Sequence, residues 1–450
     1  MKDFTLAEIA KACNGEYVGD ESLKNTKITS VERDSRQVNN GSLFLAIKGE
    51  RVDGHDFIEK CFAQGAVCAL CEKAPENATK PCIVVSSTLD AVKKIGRAYR
   101  EKFDIPVIGI SGSVGKTSTK EMLYAVLSQR FKTHKTQGNL NNELGVPLTL
   151  LSMPEDTEAA VIEMGISDFG EMTRLSEMVQ PTICVLTIIG ECHLENLGDR
   201  DGVLKAKTEM FKNACENADF ILNGDDDKLS TVKTVNGKKP VFFGLDAKND
   251  FYAKNIKNSG DGKVLATLCF DNNNIDVEIP AIGTYMVTNA LAAAAAGKLL
   301  GLTDEEIANG VASYKTVGSR ANVINTGKIK IIDDCYNANP TSVRASLDTL
   351  SNLDGRKVAI LGDMKELGSE ELKLHFDTGV YAKSKDIGTV ITVGELAKEL
   401  AKGADGKAFD TIEDAKPEIL KTIKSGDVVL VKASHSMQFE NIVEFLKQNF

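Results

Sequence analysis

The hydrophobic positions of this chain follow two patterns that alternate along most of its length. Short apolar runs, such as Val107–Ile110, predict buried strands, while segments with apolar residues every three or four positions predict amphipathic helices. Strands that alternate with helices in this way favour mainly parallel sheets with helices on their faces. The pattern breaks at the proline after Ile105 and restarts near Gly318. We therefore predict an α/β protein of three domains, at residues 1–102, 103–317 and 318–450.

The predicted elements differ between the three domains. Residues 1–102 predict a small α/β N-terminal domain. Residues 103–317 predict a mainly parallel central sheet, with an antiparallel appendage between Lys233 and Pro280 and a buried alanine-rich helix at Ala290–Gly297. Residues 318–450 predict a Rossmann-like C-terminal domain that lacks the Gly-x-Gly-x-x-Gly pattern of a dinucleotide site. The predicted strands are Lys27–Val31, Leu43–Ile47, Ala66–Leu70, Ile83–Ser86, Val107–Ile110, Glu158–Glu163, Ile183–Ile188, Phe220–Leu222, Ile329–Ile332, Lys357–Leu361, Val390–Val393 and Asp427–Val431, and the predicted helices are Thr117–Gln129, Gly170–Met178, Leu204–Phe211, Ser342–Leu350 and Glu370–Ala382.

A glycine-rich loop follows the first strand of the central domain and predicts a phosphate site. Gly112 and Gly115 leave room for backbone N–H groups to point inward, and the next helix adds its positive N-terminal end. Lys116 would reach the β- and γ-phosphates, and the Thr117 hydroxyl would bind Mg²⁺. The pattern Gly-x-x-Gly-Lys-Thr is a shortened P-loop, since Ile110 stands where the common pattern has glycine. The predicted nucleoside triphosphate-binding residues are Gly112, Ser113, Val114, Gly115, Lys116, Thr117 and Ser118.

Composition narrows the possible classes of protein. The net charge of −10 excludes a broad basic surface, so we do not expect a nucleic-acid partner. The chain starts without a long apolar run, and no stretch has the length of a membrane span. Ten cysteines lack the spacing of a disulfide framework, which indicates reduced thiols in a cytoplasmic protein. Cys68-x-x-Cys71 lies in an apolar segment and predicts a buried strand rather than a metal site.

Polar residues in the central domain stand where a nucleotide-binding sheet presents the ends of its strands. Glu163 ends an apolar strand, where its carboxylate could hold Mg²⁺ opposite Thr117. His193 follows the strand Ile183–Ile188, which favours a functional over a structural role. A protonated lysine repels Mg²⁺, so Lys207 on the next helix is interpreted as part of a solvated face.

Other polar stretches each allow two interpretations. The loop Gly138–Pro147 is dense in amides and is either a capped turn before a helix or a polar clamp on a substrate. Asp34-Ser35-Arg36 and the segment from Lys48 to Phe57 are either ordinary turns or parts of a substrate-recognition domain.

Taken together, these motifs resemble the Mur ligases, the ATP-dependent amide-forming enzymes of peptidoglycan precursor synthesis. The resemblance covers essentially the whole chain. In the third domain it is closest to the branch of the family that joins D-Ala-D-Ala to UDP-N-acetylmuramoyl-tripeptide. The matching motifs are Asp34-Ser-Arg36, Leu43 to Glu50, Asp53-Gly-His-Asp-Phe57, Gly112 to Thr117, Thr136 to Asn142, Glu163-Met-Gly, His193-Leu-Glu, Ala206-Lys-Thr-Glu209, Asp333 to Pro340 and Leu361 to Gly368.

The resemblance implies ATP, two Mg²⁺ ions and specific residue roles. Thr117 and Glu163 would bind one Mg²⁺, and His193 with a carbamylated Lys207 would bind the second. Carbamylation removes the objection to a lysine, because it converts the amine into an anionic oxygen ligand. We also expect a monomer, without a nucleic-acid partner and without a membrane span. Residues bordering the nucleotide would be Asn289, Arg320, Asp334 and Tyr336, and residues contacting the substrates would be Asp34, Ser35, Arg36, Lys48, Thr136, Asn139, Asn141, Asn142, Asn337, Asn339 and Lys432.

Two segments depart from the family pattern. Tyr285 and Met286 stand where the family tends to have histidine and asparagine, and Ala433 and His435 stand where it tends to have glycine and arginine. The alternatives to a Mur ligase of this branch are another amide ligase of the same superfamily, such as a folylpolyglutamate synthetase, and a P-loop NTPase that acts as a switch.

Overall fold

The computed structural model describes residues 1–49, 51–259 and 262–450. Glu50, the last residue of the motif that begins at Leu43, lies outside these ranges, as do residues 260 and 261 of the predicted appendage. The described elements form three sheet-centred units in chain order, so the predicted α/β class with three units is confirmed. Within the described ranges, every helix falls short of the length and apolar character that crossing a bilayer requires.

The N-terminal unit is a five-stranded sheet covered by helices. Its strands β3 and β4 are buried along their whole length, as continuous apolar runs require. The strand Glu16–Val18 was not predicted from the pattern. The strand predicted at Lys27–Val31 is found at Ser30–Glu32. The strand order is β1-β5-β4-β3-β2, with only β1 antiparallel to its neighbour. The elements are α1 Leu6–Cys13, β1 Glu16–Val18, β2 Ser30–Glu32, β3 Ser42–Leu45, α2 Ile58–Gln64, β4 Cys68–Cys71, β5 Cys82–Val84 and α3 Thr88–Arg100.

The central unit is a six-stranded parallel sheet of order β11-β10-β9-β6-β8-β7. The middle strand β6 pairs with β8 on one side and β9 on the other. The loops that follow these three strands therefore open at one edge of the sheet. The elements are β6 Val107–Ser111, α4 Lys116–Leu127, β7 Thr133–Lys135, α5 Gly145–Leu151, β8 Ala159–Glu163, α6 Glu171–Val179, β9 Ile183–Leu186, α7 Leu194–Leu197, α8 Arg200–Thr208, β10 Asp219–Asn223 and β11 Val241–Phe243.

An antiparallel sheet and two helices complete the central unit. The three strands agree with the predicted appendage, and the alanine-rich helix is buried along Ala290–Ala296. This helix shares one apolar core with Met122, Leu123 and Val126 of α4. Its small side chains therefore pack directly against the helix that follows the glycine-rich loop. The elements are β12 Tyr252–Ser259, β13 Lys263–Phe270, β14 Asn273–Ile279, α9 Tyr285–Leu299 and α10 Asp304–Ala312.

The C-terminal unit is a six-stranded sheet with apolar cores on both faces. The strand order is β15-β16-β20-β17-β18-β19, and only β15 is antiparallel. Its two short edge strands, β15 and β19, were not predicted from the pattern. The elements are β15 Asn322–Asn325, β16 Lys330–Asp333, α11 Pro340–Ser351, β17 Arg356–Gly362, α12 Glu371–Ser384, β18 Thr389–Val393, α13 Ala397–Ala404, β19 Lys407–Phe409, α14 Ile412–Thr422, β20 Asp427–Lys432 and α15 Glu440–Asn449.

Candidate active site

A cavity of about 450 Å³ lies between the loop edge of the central sheet and the C-terminal unit. Its walls come from the loops after β6, β8 and β9, from the start of α9, and from the loop and helix that follow β16. The cavity therefore brings together residues from both units. The predicted site residues that line it are Ser113, Val114, Gly115, Lys116, Thr117, Ser118, Asn141, Asn142, Glu163, His193, Asn289, Arg320, Asp334, Tyr336, Asn337, Asn339 and Lys432.

The glycine-rich loop has a backbone that other residues would not tolerate. Gly115 has a φ of +84°, and a Cβ at Gly112 would lie 1.9 Å from the Thr187 hydroxyl oxygen. The Lys116 ammonium folds back and donates to the Gly112 carbonyl oxygen at 2.8 Å. Helix α4 begins at Lys116, and no side chain of the described residues caps it. Its first N–H groups are thus left for an anionic ligand at the cavity.

Glu163 is buried at the end of β8, and three side chains fix its carboxylate. The Thr117 hydroxyl lies 3.0 and 3.2 Å from the two carboxylate oxygens, and the Asn141 amide donates to one of them at 2.7 Å. Lys120 approaches the carboxylate to 3.6 Å and also pairs with Glu121 at 3.2 Å. Lys120 was not among the residues predicted from the sequence. Its spacing of four residues from Lys116 would have placed both lysines on one face of α4.

The loop between β7 and α5 is a capped turn, and its role as a polar clamp on a substrate stays a prediction. Asn141 contacts Glu163 as described, while the Asn142 side chain accepts from the Gly145 N–H at 2.8 Å and so caps the turn before α5. The Thr136 hydroxyl is buried and accepts from the Glu163 N–H at 2.9 Å. Asn139 is exposed and does not line the cavity.

His193 follows β9 and is contacted from the C-terminal unit. Its backbone has a φ of +53°, and its Nδ1 lies 2.6 Å from a carboxylate oxygen of Glu366. This hydrogen bond lowers the pKa of Glu366. Glu366 belongs to the motif Leu361–Gly368, but no role in the site was predicted for it. Because both residues lie in loops of different units, no spacing in the sequence indicates that they meet.

Lys207 is buried on α8 but does not line the cavity. Its interpretation as part of a solvated helix face is therefore wrong, whereas Lys205 on the same helix is exposed. Burial lowers the pKa of Lys207 to about 8, and the positive charge of Lys116 acts in the same direction. Among the described residues, no hydrogen bond or ion pair holds its amine.

An aromatic stack borders the cavity on the C-terminal side. The Arg320 guanidinium lies 3.6 Å from the centre of the Tyr336 ring. His435 stacks with the same ring, with 5.7 Å between the ring centres and 29° between the planes. The departure from the family pattern at residue 435 thus places a second ring beside Tyr336.

Asp334 connects several segments of the C-terminal wall. It accepts hydrogen bonds from the Lys432 ammonium at 2.6 Å, from the Ser346 hydroxyl at 2.6 Å and from the Ala321 N–H at 3.0 Å. Lys432 is buried and also donates to the Asn337 carbonyl oxygen at 2.9 Å. This network fixes the loop after β16 against β20.

The start of α9 forms another part of the cavity wall. Asn289 accepts a hydrogen bond from the Thr119 hydroxyl at 2.9 Å, which ties α9 to α4. Tyr285, the second departure from the family pattern, also lines the cavity, and burial raises the pKa of its hydroxyl.

The predicted residues of the N-terminal unit lie elsewhere. Arg36 forms a bidentate pair with Asp34, with a shortest distance of 2.6 Å, at an exposed turn. The backbones of Lys48 and Asp53 pair in an isolated antiparallel β-bridge. None of Asp34, Ser35, Arg36 and Lys48 lines the cavity between the other two units, so their roles stay predictions.

Comparison with known proteins assigns the family. Family sequence models match residues 27–111 (Mur ligase family, catalytic domain), 110–297 (Mur ligase middle domain) and 319–435 (Mur ligase, glutamate ligase domain). A UDP-N-acetylmuramoyl-tripeptide–D-alanyl-D-alanine ligase of Bacillus subtilis (strain 168) is 36% identical, with 98% of each chain covered. The chain belongs to the Mur ligase family.

Solved structures of Mur ligases share the whole fold. A crystal structure of MurF from Acinetobacter baumannii is 32% identical and covers 100% of this chain and 99% of its own, with a TM-score of 0.92. The MurF ligase of Thermotoga maritima, solved in complex with ADP, is 30% identical, with 93% and 97% covered and a TM-score of 0.84. The three-unit arrangement is therefore that of the Mur ligases.

The contact between Asn141 and Glu163 leads to a first prediction. We expect Asn141→Ala to weaken Mg²⁺-dependent ADP binding about tenfold, because the carboxylate that faces Thr117 loses a donor that orients it. Isothermal titration of ADP with Mg²⁺, repeated with EDTA, measures the effect. Asn139→Ala, in the exposed part of the same loop, is the comparison variant. An equal loss of affinity with EDTA would show that Asn141 does not act through the metal.

Proposed function

We propose that this Mur ligase joins D-Ala-D-Ala to UDP-N-acetylmuramoyl-tripeptide and converts ATP to ADP and phosphate. The full-length similarity to ligases named for this reaction supports the choice of substrates. The observation that carries the proposal is the shared cavity, in which Lys116, Thr117 and Glu163 face Asp334 and Asn337 of the C-terminal unit. An activated intermediate formed at the central unit would there meet an acceptor held by the C-terminal unit.

The need for ATP follows from the chemistry of the carboxylate. An amine does not displace oxide from a carboxylate, so the terminal carboxylate of the tripeptide first attacks the γ-phosphorus, and ADP leaves. The resulting acyl phosphate has a good leaving group. The amine of D-Ala-D-Ala then attacks the acyl carbon, the amide bond forms, and phosphate departs. Lys116 and the N–H groups of the loop Gly112–Ser118 would stabilise the charge on the transferring phosphoryl group.

The donors at the cavity fit Mg²⁺. Thr117 and Glu163 present a hydroxyl and a carboxylate within 3.2 Å of each other, and hard cations prefer such oxygen ligands. These two residues would hold one ion, and His193 with a carbamylated Lys207 would hold a second. When bound, the ions would neutralise charge on the phosphate oxygens.

The surroundings of Lys207 support its carbamylation. A buried amine with a pKa of about 8 is partly neutral near physiological pH, and the neutral form is a nucleophile. Its nitrogen attacks the carbon of CO₂, an N–C bond forms, and the amine proton passes to solvent. The product is an anionic carbamate with two oxygens, which replaces a buried positive charge by a metal ligand.

The remaining roles follow the three units. Residues 1–102 would bind the uridine diphosphate part of the substrate through Asp34, Ser35, Arg36 and Lys48. Residues 103–317 would bind ATP, and residues 318–450 would hold D-Ala-D-Ala. All ten cysteines are free thiols, which supports a cytoplasmic enzyme. The remaining substrate contacts would come from Thr136, Asn139, Asn141, Asn142, Asn337, Asn339 and Lys432.

An assay with purified protein tests this function directly. With ATP, Mg²⁺, UDP-N-acetylmuramoyl-tripeptide and D-Ala-D-Ala, we expect phosphate release matched by a product of the mass of the pentapeptide nucleotide. Tripeptides with lysine and with diaminopimelate are tested separately. Product from folate and glutamate instead would assign the protein to folylpolyglutamate synthesis. Nucleotide hydrolysis that no amine acceptor changes would indicate a P-loop switch.

Lys116 provides a test of the phosphate site. We expect Lys116→Ala to lower turnover by more than about a hundredfold, because a charge aimed at the transferring phosphoryl group is lost. The fold should be unaffected, since among the described residues the Lys116 ammonium bonds only to the Gly112 carbonyl oxygen. Phosphate release and the circular dichroism spectrum are the two measurements. Substantial activity in a folded variant would contradict the assigned role.

Lys207 provides a test of the carbamate. We expect Lys207→Ala to be nearly inactive and to be partly rescued by formate or acetate, which can supply the missing carboxylate. Lys205→Ala, an exposed lysine on the same helix, should retain activity. Because the pKa of Lys207 is about 8, its neutral fraction rises as the pH rises through that value. Uptake of ¹³C-labelled CO₂, followed by NMR, should therefore increase from pH 7 to pH 9. Wild-type activity in Lys207→Ala would remove the carbamate from the mechanism.

A further inference from the structure

The loop after β9 is held by the C-terminal unit at several points. The Thr341 hydroxyl, at the start of α11, donates to a carboxylate oxygen of Glu191 at 2.5 Å. Gly368 lies so close to the central unit that a Cβ there would be 3.2 Å from the Cα of Glu195. Between these contacts, Glu366 reaches the His193 ring at 2.6 Å. Of these three contacts, only that of Glu366 involves a predicted metal ligand, the cavity-lining side chain of His193.

Glu366 stands on a turn that the C-terminal unit holds firmly. Its neighbours Met364 and Leu367 are buried in the core of that unit. The Met364 N–H donates to His375 at 2.9 Å, and the Lys365 N–H donates to the Ser434 hydroxyl at 3.0 Å. The Glu366 side chain itself is 56% exposed and extends away from this support toward His193. Its position is thus set by the C-terminal unit and not by the loop that it contacts.

The direction of the hydrogen bond decides which nitrogen of His193 is available. A carboxylate can only accept, so Nδ1 carries the proton in the bond to Glu366. In the neutral ring, Nε2 then has the free lone pair. A carboxylate on the second nitrogen also fixes the orientation of the ring, as is usual for histidines that bind metals. The geometry therefore prepares Nε2 as a ligand.

We propose that Glu366 is a positioning residue that prepares His193 for the second metal ion when the C-terminal unit packs against the central unit. This inference rests on the proposed function, because it assumes a metal site at His193. The inference couples binding of the second metal ion to packing of the C-terminal unit against the central unit. Without the C-terminal unit in place, His193 lacks the partner that selects its tautomer and holds its ring. The second ion would then bind tightly only when the unit that carries the acceptor has closed over the cavity.

The tautomer of His193 is the first measurement, and it needs no metal. The chain has five histidines, so ¹⁵N-labelled imidazole spectra are simple enough to assign, with His193→Gln identifying the signal. In the presence of a non-hydrolysable ATP analogue and the tripeptide nucleotide, we expect wild-type His193 to carry its proton on Nδ1. In Glu366→Ala the signal should shift toward the Nε2-protonated form. The same tautomer in both proteins would overturn the proposal.

Binding of Mn²⁺, measured by the EPR signal of the free ion, is the second measurement. With the same two ligands present, we expect Glu366→Ala to weaken the second Mn²⁺ about tenfold and to leave the first unchanged. Glu366→Gln keeps a hydrogen-bond acceptor and should retain most of the affinity. Glu191→Ala removes the neighbouring contact between the units without touching His193, and so separates loss of closure from loss of positioning. Equal weakening in Glu191→Ala and Glu366→Ala would reduce Glu366 to a structural contact and overturn the proposal.

The two hypotheses fail in different ways. Absence of the pentapeptide product with the wild-type enzyme would refute the proposed function, and no variant is needed for that result. A wild-type enzyme that makes product but binds a single Mn²⁺ would refute the role of Glu366 and leave the ligase activity standing. In the kinetic assay, we expect Glu366→Ala to raise the Mg²⁺ concentration for half-maximal rate, with the KM for the tripeptide nucleotide unchanged. A change in that KM alone would contradict positioning of the metal ligand.

Discussion

Strand β6 pairs with β8 on one side and with β9 on the other, and the rest of the site depends on this pairing. Parallel strands end at the same edge of a sheet, so the loops after these strands cannot lie far apart. The register aligns Ile110 of β6 with Glu163 of β8. The carboxylate thereby meets the Thr117 hydroxyl two residues beyond Gly115. A one-residue slip of β8 would turn Glu163 to the opposite face of the sheet.

Burial of charge at this edge restricts what the surrounding side chains can be. Glu163 and Lys120 are both almost fully buried, and a buried charge without a partner is strongly unfavourable. Lys120 lies between Glu163 and Glu121, and Lys135 pairs with Glu121 in turn. The charges of this group therefore compensate one another before any ligand binds. Lys207 is the contrast, because it is equally buried and has no such partner among the described residues. Burial without a partner lowers the pKa of the Lys207 amine.

The sequence predicted the parts of the structure that are local. The strand, glycine-rich loop and helix at residues 107–127 and the end of β8 at Glu163 are each encoded in one continuous stretch, and they were found. Short edge strands such as Glu16–Val18 and Lys407–Phe409 were missed, because three residues that are mostly exposed do not differ from a loop in their pattern. The burial of Lys207 was also missed, since helix α8 is rich in charged residues and its pattern does not show which lysine is buried. Long-range contacts left no local signal at all. His193 and Glu366 are 173 positions apart in the sequence and lie in loops of two different sheets. Their contact is therefore visible only in the three-dimensional structure.

In the proposed reaction, the arrangement of two units around one cavity would protect the intermediate. An acyl phosphate reacts with water as well as with an amine, so the site must exclude water while the intermediate exists. A single rigid unit with the same residues would hold the substrates but would not separate the first step from the arrival of the acceptor. Here the wall that closes the cavity, with Asp334, Asn337 and Thr341, belongs to the unit that also carries Glu366. Under the proposed function, closing the cavity and orienting His193 would be one movement, and the intermediate would be protected at the moment when the metal site is complete.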